Sequence, residues 1–353
     1  WDVIIIGSGF AGLAAGLKAA QKGSKVLILE KMGRIGGNSV INGGGMAVAN
    51  NPVQAKTNIK DSKELFIADC LKAGLGINHT ELLETLVDRG MDAYNFLVEN
   101  GVQFKEHCAH FGGHSVARSM LTTNDSGSGY IQPMLEKFEA LKDKGCELRR
   151  RAKFDDFVMD GERVAGVVIR EEYKFDTNLY SDDLENTSGT KKTLKAKKGV
   201  VLAAGGFCRD KFYRKLQDPR IPDDVDSTNH AGATAGVLLK AFEIGAYPVQ
   251  VDWIQFGPWA SPDEKGFGAA PILTQQGTFK YGIAVDIRTG KRFMNELADR
   301  KTRADAEFKI LREKPGAYPI TFADTKMAFK DLSEEIIQKG MASGKLVGEC
   351  ATL

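Results

Sequence analysis

Several features that would assign this protein to a specialised class are absent or sparse in its sequence. None of the five cysteines stands in a Cys-x-x-Cys pair, which argues against a disulfide scaffold and against a haem-attachment motif. No uninterrupted apolar run approaches the roughly 20 residues of a membrane helix, so we expect no membrane span. The 48 basic and 46 acidic residues are interspersed and leave a net charge of +2. We therefore interpret the basic stretches as solvated faces rather than as a nucleic-acid surface.

The sequence of 353 residues is long enough for a large hydrophobic core and, at usual domain sizes, for about two domains. It begins with Trp1 and enters an apolar strand at once, so we expect that a targeting segment or a preceding domain has been removed. Glycine is abundant at 39 residues. Much of it lies near the start of the chain, where close approach of the backbone to a flat or charged group is the expected reason.

The first segment, WDVIIIGSGFAGLAAGLKAAQKGSKVLILEK, predicts a β-α-β unit. An apolar run at residues 3–6 is typical of a strand buried on both faces of a parallel sheet. Residues 13–22 are rich in alanine and leucine and predict a helix, and residues 25–29 predict the second strand. Between the first strand and the helix lies the pattern Gly-x-Gly-x-x-Gly.

The spacing of these glycines fits a dinucleotide. Gly7 permits a tight turn, Gly9 lets the backbone approach a pyrophosphate at the helix N-terminus, and Gly12 lets helix and strand pack closely. Glu30, at the end of the second strand, can accept hydrogen bonds from a ribose diol. Because strand, glycines, helix, strand and acid stand in register, we favour a nucleotide site over a plain glycine-rich turn.

The next segment, KMGRIGGNSVINGGGMAVAN, indicates which dinucleotide is bound. Two further glycine clusters suggest a backbone laid against an extended planar cofactor, with asparagine and serine side chains supplying hydrogen bonds. At this point the chain resembles the flavoproteins of the fumarate reductase and succinate dehydrogenase superfamily. The resemblance is greatest to the soluble flavocytochrome c-type fumarate reductases and related acrylate and urocanate reductases.

The resemblance implies FAD. In the membrane-bound members a histidine in this segment bonds covalently to the flavin. Asn38 stands at the matching position, so we expect the cofactor to be held non-covalently. The cofactor-binding residues implied are Gly7, Ser8, Gly9, Phe10, Ala11, Gly12, Glu30, Lys31, Gly37, Asn38, Ser39, Asn42, Gly43, Gly44, Gly45, Met46, Ala152, Lys153, Ala204, Gly205, Gly206, Asn229 and Thr234.

The implied fold class is α/β with an α+β cap: a doubly wound, Rossmann-like FAD-binding domain, discontinuous in sequence, with an inserted capping domain. We place the FAD-binding domain at residues 1–257 and the capping domain at 258–353. Members of the family continue well beyond the position that matches Leu353. We therefore expect a longer chain, whose further part holds a family histidine, a second arginine and the return segment of the FAD domain; the alternative is a degenerate protein unable to catalyse.

The middle of the chain holds one candidate site and one departure from the family. GGHSVAR, which contains His114, resembles a loop beside the flavin and substrate, although a structural histidine is the alternative. The glycines break any helix that could align His107, Cys108, His110 and His114, so we predict no metal site. Near Thr234 relatives have Gly-Asp-Gly where this chain has Ala235-Gly236-Val237, so the usual aspartate is missing.

Three secondary-structure predictions concern the segment between residues 147 and 206. We expect two strands joined at Asp160-Gly161, and a buried strand at residues 200–203 that leads into Ala204, Gly205 and Gly206. The polar stretch from residue 173 to residue 198 predicts an exposed and mobile hairpin extension.

GKRFMNELADR resembles the family segment that ends in the active-site arginine, here Arg300. The resemblance implies that Arg300 protonates one carbon of a C=C bond while the other receives hydride from reduced flavin. An arginine keeps its proton to a pKa above about 12. A carbanion beside a carboxylate is nevertheless basic enough to take the proton from a guanidinium held against it. The alternative is that Arg300 or Arg303 makes a surface ion pair.

The substrate side departs from fumarate reductases. Phe256 stands where those enzymes have a carboxylate-binding histidine, and Trp259 follows. The acid and arginine thought to feed protons to the catalytic arginine fall near Gln276 and Phe279. Aromatic walls favour an apolar or planar tail over a second carboxylate. We therefore expect an unsaturated monocarboxylate, such as an acrylate, cinnamate or urocanate, ahead of fumarate; packing at a hinge is the alternative role of the two aromatic residues.

The predicted function is therefore that of an FAD-dependent ene-reductase, with substrate-binding candidates Phe256, Trp259, His114 and Gln276. Three alternatives stay open: a fumarate reductase proper, a flavin dehydrogenase running toward the alkene as in steroid or amino-acid oxidation, and a non-catalytic electron-transfer subunit. Electrons would come from a haem domain, a partner cytochrome, a second flavin or a soluble donor. The resemblance alone suggests a periplasmic location.

Overall fold

The computed structural model describes residues 1–222, 225–258, 260–261, 263–264, 270–324, 326, 330 and 332–347. The chain divides into two compact units. The first unit comprises Trp1–Arg220 and Asn229–Asp252, and the second unit comprises Ile221–Thr228 and Trp253–Leu353. Across the described residues, no helix is long and apolar enough to cross a membrane.

The first unit contains β1 (Val3–Ile6), α1 (Phe10–Gln21), β2 (Val26–Leu29), α2 (Asn38–Ile41), β3 (Gly45–Ala47), α3 (Pro52–Lys56), α4 (Lys63–Ala73), α5 (Thr80–Asp88), α6 (Gly90–Glu99), β4 (Phe104–Ala109), β5 (Ser119–Thr122), α7 (Ser128–Glu139), β6 (Glu147–Arg149), β7 (Lys153–Asp160), β8 (Arg163–Glu171), α8 (Asp182–Glu185), β9 (Thr190–Lys195), β10 (Gly199–Leu202), α9 (Lys211–Gln217) and α10 (Gly236–Glu243).

A parallel sheet in the order β10-β1-β2-β6 forms the centre of this unit. The alternate residues of its strands enter two different cores. Ile5 and Ile28 pack with helices α1 and α7, whereas Ile4 and Leu27 pack with the β7–β8 hairpin. Burying each such side chain stabilises the fold by about 1.5–3 kcal/mol. The continuous apolar runs therefore reflect strands covered on both faces, as the sequence predicted.

Two antiparallel sheets, β3-β5-β4 and β7-β8-β9, complete the described sheets of this unit. The turn between β7 and β8 lies at Gly161, and Asp160 pairs with Arg163, which confirms the predicted hairpin. The strand predicted near residue 200 is also confirmed as β10. Its burial was overestimated: Leu202 is 47% exposed because β10 is the edge strand of the described parallel sheet.

The prediction of an exposed hairpin extension from residue 173 to residue 198 is correct only in part, because most residues of this stretch are exposed but some are buried. Tyr173 is only 1% exposed and Asp182 only 5%, and β9 pairs with β8 from Glu171 to Gly166. The polar residues of this stretch satisfy one another. The Asp182 carboxylate accepts hydrogen bonds from the Tyr173 hydroxyl, the Asp176 backbone N–H and the Asn186 side chain. A polar segment can therefore be buried when its hydrogen bonds are made internally.

The second unit contains α11 (Ala270–Ile272), a π-helix (Leu273–Thr278), α12 (Phe279–Tyr281), β11 (Gly282–Asp286), β12 (Lys291–Arg292), α13 (Arg300–Glu313), β13 (Ile320–Ala323) and α14 (Glu334–Ala342). Its strands form an antiparallel sheet in the order β12-β11-β13. Asp299 caps α13 by accepting a hydrogen bond from the Thr302 backbone N–H at 3.0 Å. These elements, together with the parallel sheet, confirm the predicted α/β fold class.

Candidate functional site

Three loops meet at one edge of the parallel sheet in the first unit. Gly7 follows β1, Glu30 follows β2, and Ala203 follows β10. The Gly7 N–H donates to the Leu29 carbonyl at 2.8 Å, and the Ala203 N–H donates to the Ile6 carbonyl at 2.8 Å. The carboxyl end of a parallel sheet is where open α/β folds bind their ligands.

The three glycines of the first turn are required for different steric reasons. A Cβ at Gly12 would lie 1.9 Å from the Gly7 carbonyl oxygen, and one at Gly7 would lie 2.3 Å from the Ala203 carbonyl oxygen. Gly7 also has a φ of +105°, which favours glycine. A Cβ at Gly9 would lie 2.9 Å from the Ser39 hydroxyl. The turn is therefore packed against its neighbours, and α1 begins at it with its positive N-terminus.

Ser8 connects this turn to Glu30 and to the second glycine cluster. Its hydroxyl donates to the Glu30 carboxylate at 2.5 Å and accepts from the Gly36 N–H at 2.9 Å. The other Glu30 oxygen accepts from the Met32 N–H at 2.9 Å. Glu30 is 8% exposed. Its carboxylate is thus oriented by the protein, and a carboxylate still has lone pairs for a ribose hydroxyl.

Other glycines of the predicted site border open space. A Cβ at Gly37, Gly43, Gly205 or Gly206 would meet no protein atom within 4 Å. The residues at 204–206 and at 42–43 are exposed. Backbone without side chains beside a phosphate-binding turn fits an extended flat cofactor such as FAD.

The segment after Gly37 is held by its own polar side chains. Asn42 donates to the Ser39 carbonyl at 2.7 Å and accepts from the Gly44 N–H at 2.8 Å. The Ser39 hydroxyl accepts from the Phe10 N–H at 3.1 Å. Asn38 accepts from the His230 N–H at 2.6 Å, which brings the segment containing Asn229 to this loop. Gly45 and Met46 lie in β3 and pair with β5.

Asp183, a residue that the sequence analysis missed, lies beside three predicted cofactor-binding residues: Lys31, Lys153 and Thr234. The Lys31 ammonium lies 2.5 Å from the Thr234 hydroxyl and 3.6 Å from the Asp183 carboxylate. Lys153 lies 3.9 Å from the same carboxylate. Ala152 precedes Lys153 and donates its N–H to the Glu30 carbonyl at 2.9 Å.

Asp183 also accepts a hydrogen bond from the Gly236 N–H at 2.8 Å. A carboxylate therefore contacts the turn where the family aspartate is missing, and it comes from the segment interpreted as an exposed extension. Burial alone would raise the pKa of Asp183, but Lys31, Thr234, Lys153 and this N–H together lower it. Burial lowers the pKa of Lys153, against the opposing effect of Asp183 and Asp155.

His114 belongs to a buried ionic network. Its Nδ1 lies 3.0 Å from the Arg118 guanidinium, which is fully buried. Arg118 donates two hydrogen bonds of 2.9 Å to Asp61 and one of 2.6 Å to Asp69. Burial and then Arg118 lower the pKa of His114, and its Nδ1 accepts from Arg118 because a guanidinium can only donate. These contacts match the structural alternative for His114, and no three His, Cys, Asp or Glu side chains among the described residues could hold a metal ion.

The predicted substrate residues of the second unit are partly described. Phe256 packs edge-on against Phe308 of α13, with ring centroids 4.8 Å apart. Trp259 lies outside the described residues, and the backbone of Gln276 lies in the π-helix. Arg300 is the first residue of α13 and is exposed. The surrounding protein still desolvates its guanidinium and lowers the pKa of Arg300.

Comparison with known proteins gives consistent matches. A family described as FAD binding domain matches residues 2–343. The chain is 44% identical over 313 residues to the acrylate reductase flavoprotein subunit of Shewanella woodyi, covering 87% of this chain and 60% of that protein. It is 32% identical over 307 residues to the urocanate reductase of Eggerthella lenta, covering 86% of this chain and 47% of that protein.

The open conformation of a flavocytochrome c3 fumarate reductase has a similar structure, with a TM-score of 0.73 and 26% identity over 98% of this chain and 55% of that one. The chain thus spans 47% to 60% of the length of these proteins. The matches confirm the resemblance drawn from the glycine clusters.

Proposed function

Because this chain belongs to the FAD binding domain family, we propose that it is the flavin-binding part of an ene-reductase. The enzyme would reduce the C=C bond of an α,β-unsaturated carboxylate. Its cofactor is FAD. The reaction class depends above all on one observation, the 44% identity to an acrylate reductase flavoprotein subunit, since a flavin site alone serves many oxidations and reductions.

We propose that residues 1–257 form the first part of the FAD-binding domain and residues 258–353 part of a capping domain. In the former, Gly9 and the N-terminus of α1 would receive the pyrophosphate, and Glu30 the ribose. The open glycines at 43 and 205–206 would let the backbone approach the cofactor. Asn38 accepts a backbone hydrogen bond, and an amide is no nucleophile, which supports non-covalent binding.

When bound and reduced, FAD would supply the hydride chemistry for one alkene carbon. Arg300 would supply the proton for the other. Its guanidinium can also stabilise the negative charge that develops next to the substrate carboxylate. The lowered pKa of Arg300 favours this role, because a desolvated guanidinium gives up its proton more readily than one in water.

The substrate we favour is a monocarboxylate, either acrylate or an acrylate with an aryl or heteroaryl group. Two observations support this choice: the acrylate and urocanate reductases among the relatives, and the apolar Phe256 in place of a carboxylate-binding histidine. Fumarate is the second candidate, because the fold matches a fumarate reductase with a TM-score of 0.73. The electron donor would be a haem domain, a partner cytochrome, another flavin or a soluble donor.

The test uses the full-length, FAD-loaded protein, chemically reduced and mixed with acrylate, cinnamate, urocanate or fumarate. We expect flavin reoxidation to be fastest with a monocarboxylate. Faster reoxidation by fumarate would favour the second candidate. Rapid reduction of an electron acceptor by a saturated substrate would instead identify a dehydrogenase running toward the alkene.

Arg300→Lys tests the catalytic assignment. We expect FAD binding to be unchanged and turnover to fall by about 10²-fold or more, because an ammonium cannot reproduce the guanidinium geometry. Arg312→Lys, at an exposed position of the same helix, is the matched control and should keep full activity. An unaffected Arg300→Lys enzyme would contradict the assignment and would favour a non-catalytic flavin subunit.

A further inference from the structure

Helix α13 carries three ionisable side chains on one face. Arg300, Arg303 and Glu307 are spaced by three and by four residues, which places them within about 60° of one another around the helix axis. Side chains at these spacings are neighbours, with Cβ atoms about 5–6 Å apart. The spacing therefore places them in one row along the first part of the helix.

The three groups are also coupled electrostatically. Burial and then the charge of Arg300 lower the pKa of Arg303, against the effect of Glu307 and Asp299. Burial raises the pKa of Glu307 to about 8, against the effect of Arg303. These effects link Arg300, Arg303 and Glu307 along the helix, and Asp299 adds to them. Each member of the row thus influences the next.

Glu307 is consequently a protonated acid at neutral pH that can exchange its proton near working pH, as a proton carrier must. Arg303 lies between it and Arg300 and is held in place. One of its nitrogens donates to the Glu296 carbonyl at 3.1 Å, and its guanidinium lies 5.3 Å from the centre of the Phe279 ring. That ring cannot exchange a proton, although it stands where relatives are thought to have a proton-carrying arginine.

We propose that Glu307 and Arg303 return to Arg300 the proton that it gives to the substrate. This inference rests on the proposed ene-reductase function. In each turnover the substrate gains one hydride from the reduced cofactor and one proton from Arg300. Neutral Arg300 then takes a proton from Arg303, Arg303 takes one from the Glu307 carboxyl, and the Glu307 carboxylate takes one from water. Both residues act through Arg300.

Glu307→Gln is the informative variant, because glutamine matches a protonated glutamate in shape and charge but cannot release a proton. In the full-length, FAD-loaded protein with acrylate we expect kcat to fall by about tenfold or more, with KM and FAD content little changed. The fall in wild-type activity as the pH rises through the titration of Glu307 should be absent from the variant. Glu313→Gln is the control: it lies on the same helix and is half exposed in an ion pair with Arg288, and it should behave as wild type.

Infrared difference spectra provide a readout independent of turnover. A band of a protonated carboxyl should disappear as the pH is raised and should be missing from Glu307→Gln. A second variant, Arg303→Gln, should also lower kcat, whereas Arg303→Lys, which keeps an exchangeable proton, should recover part of it.

If the wild type reduces acrylate and Glu307→Gln keeps the wild-type kcat and pH profile, the proposed proton route is overturned while the proposed ene-reductase function stands. A wild type that is reoxidised by none of the unsaturated acids would overturn the proposed function, and the inference with it.

Discussion

Replacement of Glu307 by glutamine should also change how protein stability depends on pH. The pKa of this carboxyl rises from 4.5 to about 8 in the folded protein, because burial disfavours the charged form. Between these values the folded protein keeps the proton while the unfolded chain releases it. The stability that the protonated form contributes is present at low pH and is lost as the pH rises toward 8.

The size of the effect follows from linkage. A difference of one bound proton changes the free energy of unfolding by about 1.4 kcal/mol per pH unit. From about pH 5.5 to about pH 7.5 the wild type should therefore lose about 2–3 kcal/mol relative to Glu307→Gln. Glutamine does not titrate, and the other ionisable groups are common to both proteins, so their contributions cancel in the difference.

The assay is chemical unfolding of both proteins at a series of pH values, followed by circular dichroism, with Glu313→Gln as a control that should follow the wild type. We expect the stability difference between wild type and Glu307→Gln to change steadily across this range. A difference that does not vary with pH would show that Glu307 titrates with its ordinary pKa, and the reasoning would be refuted.

Three further predictions concern the first unit. Gly206→Ala should fold normally, because the added methyl meets no protein atom within 4 Å, but it should bind FAD about 5- to 100-fold more weakly, because the methyl would collide with the cofactor. Gly199→Ala, which is equally unhindered, is the control. Equal flavin affinity of the two variants would contradict a contact between Gly206 and FAD. Asp183→Asn should lower the unfolding free energy by about 3–5 kcal/mol, because it removes the carboxylate between two lysines. This loss of stability should shrink at low pH, where the wild-type carboxyl is protonated. A variant of wild-type stability at neutral pH would count against the stabilising role of Asp183 beside Lys31 and Lys153. Arg118→Met should cost about 3–5 kcal/mol by leaving two buried carboxylates without their partner, and unchanged thermal unfolding would disprove that role.

The parts of the fold that the sequence predicted are those determined by local pattern. The β-α-β unit follows from apolar runs and glycine spacing, because a strand covered on both faces must be apolar and a turn that touches the Ala203 carbonyl must lack a Cβ. The β7–β8 hairpin follows from an Asp-Gly turn between alternating residues.

The parts that were not predicted depend on contacts between residues far apart in sequence. Asp183 contacts Lys31, Lys153 and Gly236, and its own segment has few apolar residues, so composition indicated an exposed hairpin extension. Only the tertiary fold shows that these polar groups satisfy one another.

The candidate site shows the same division. The glycines of the proposed cofactor site could be identified from spacing, whereas the environment of His114 could not, since the neighbouring Arg118 is paired with Asp61 and Asp69, which lie far back in the chain. Glu307 could not be singled out from the sequence, because its raised pKa comes from its surroundings in the folded protein. Sequence patterns identify residue types and intervals, while burial and charge pairing are set by packing.

The central claim is that a reduced flavin and Arg300 together hydrogenate an unsaturated carboxylate. Stopped-flow absorbance of the chemically reduced, full-length protein mixed with acrylate tests it most directly, with Arg300→Lys in parallel. We predict rapid flavin reoxidation in the wild type and reoxidation slowed by about 10²-fold or more in the variant. Equal rates in the two proteins, or a wild type that acrylate leaves reduced, would contradict the claim.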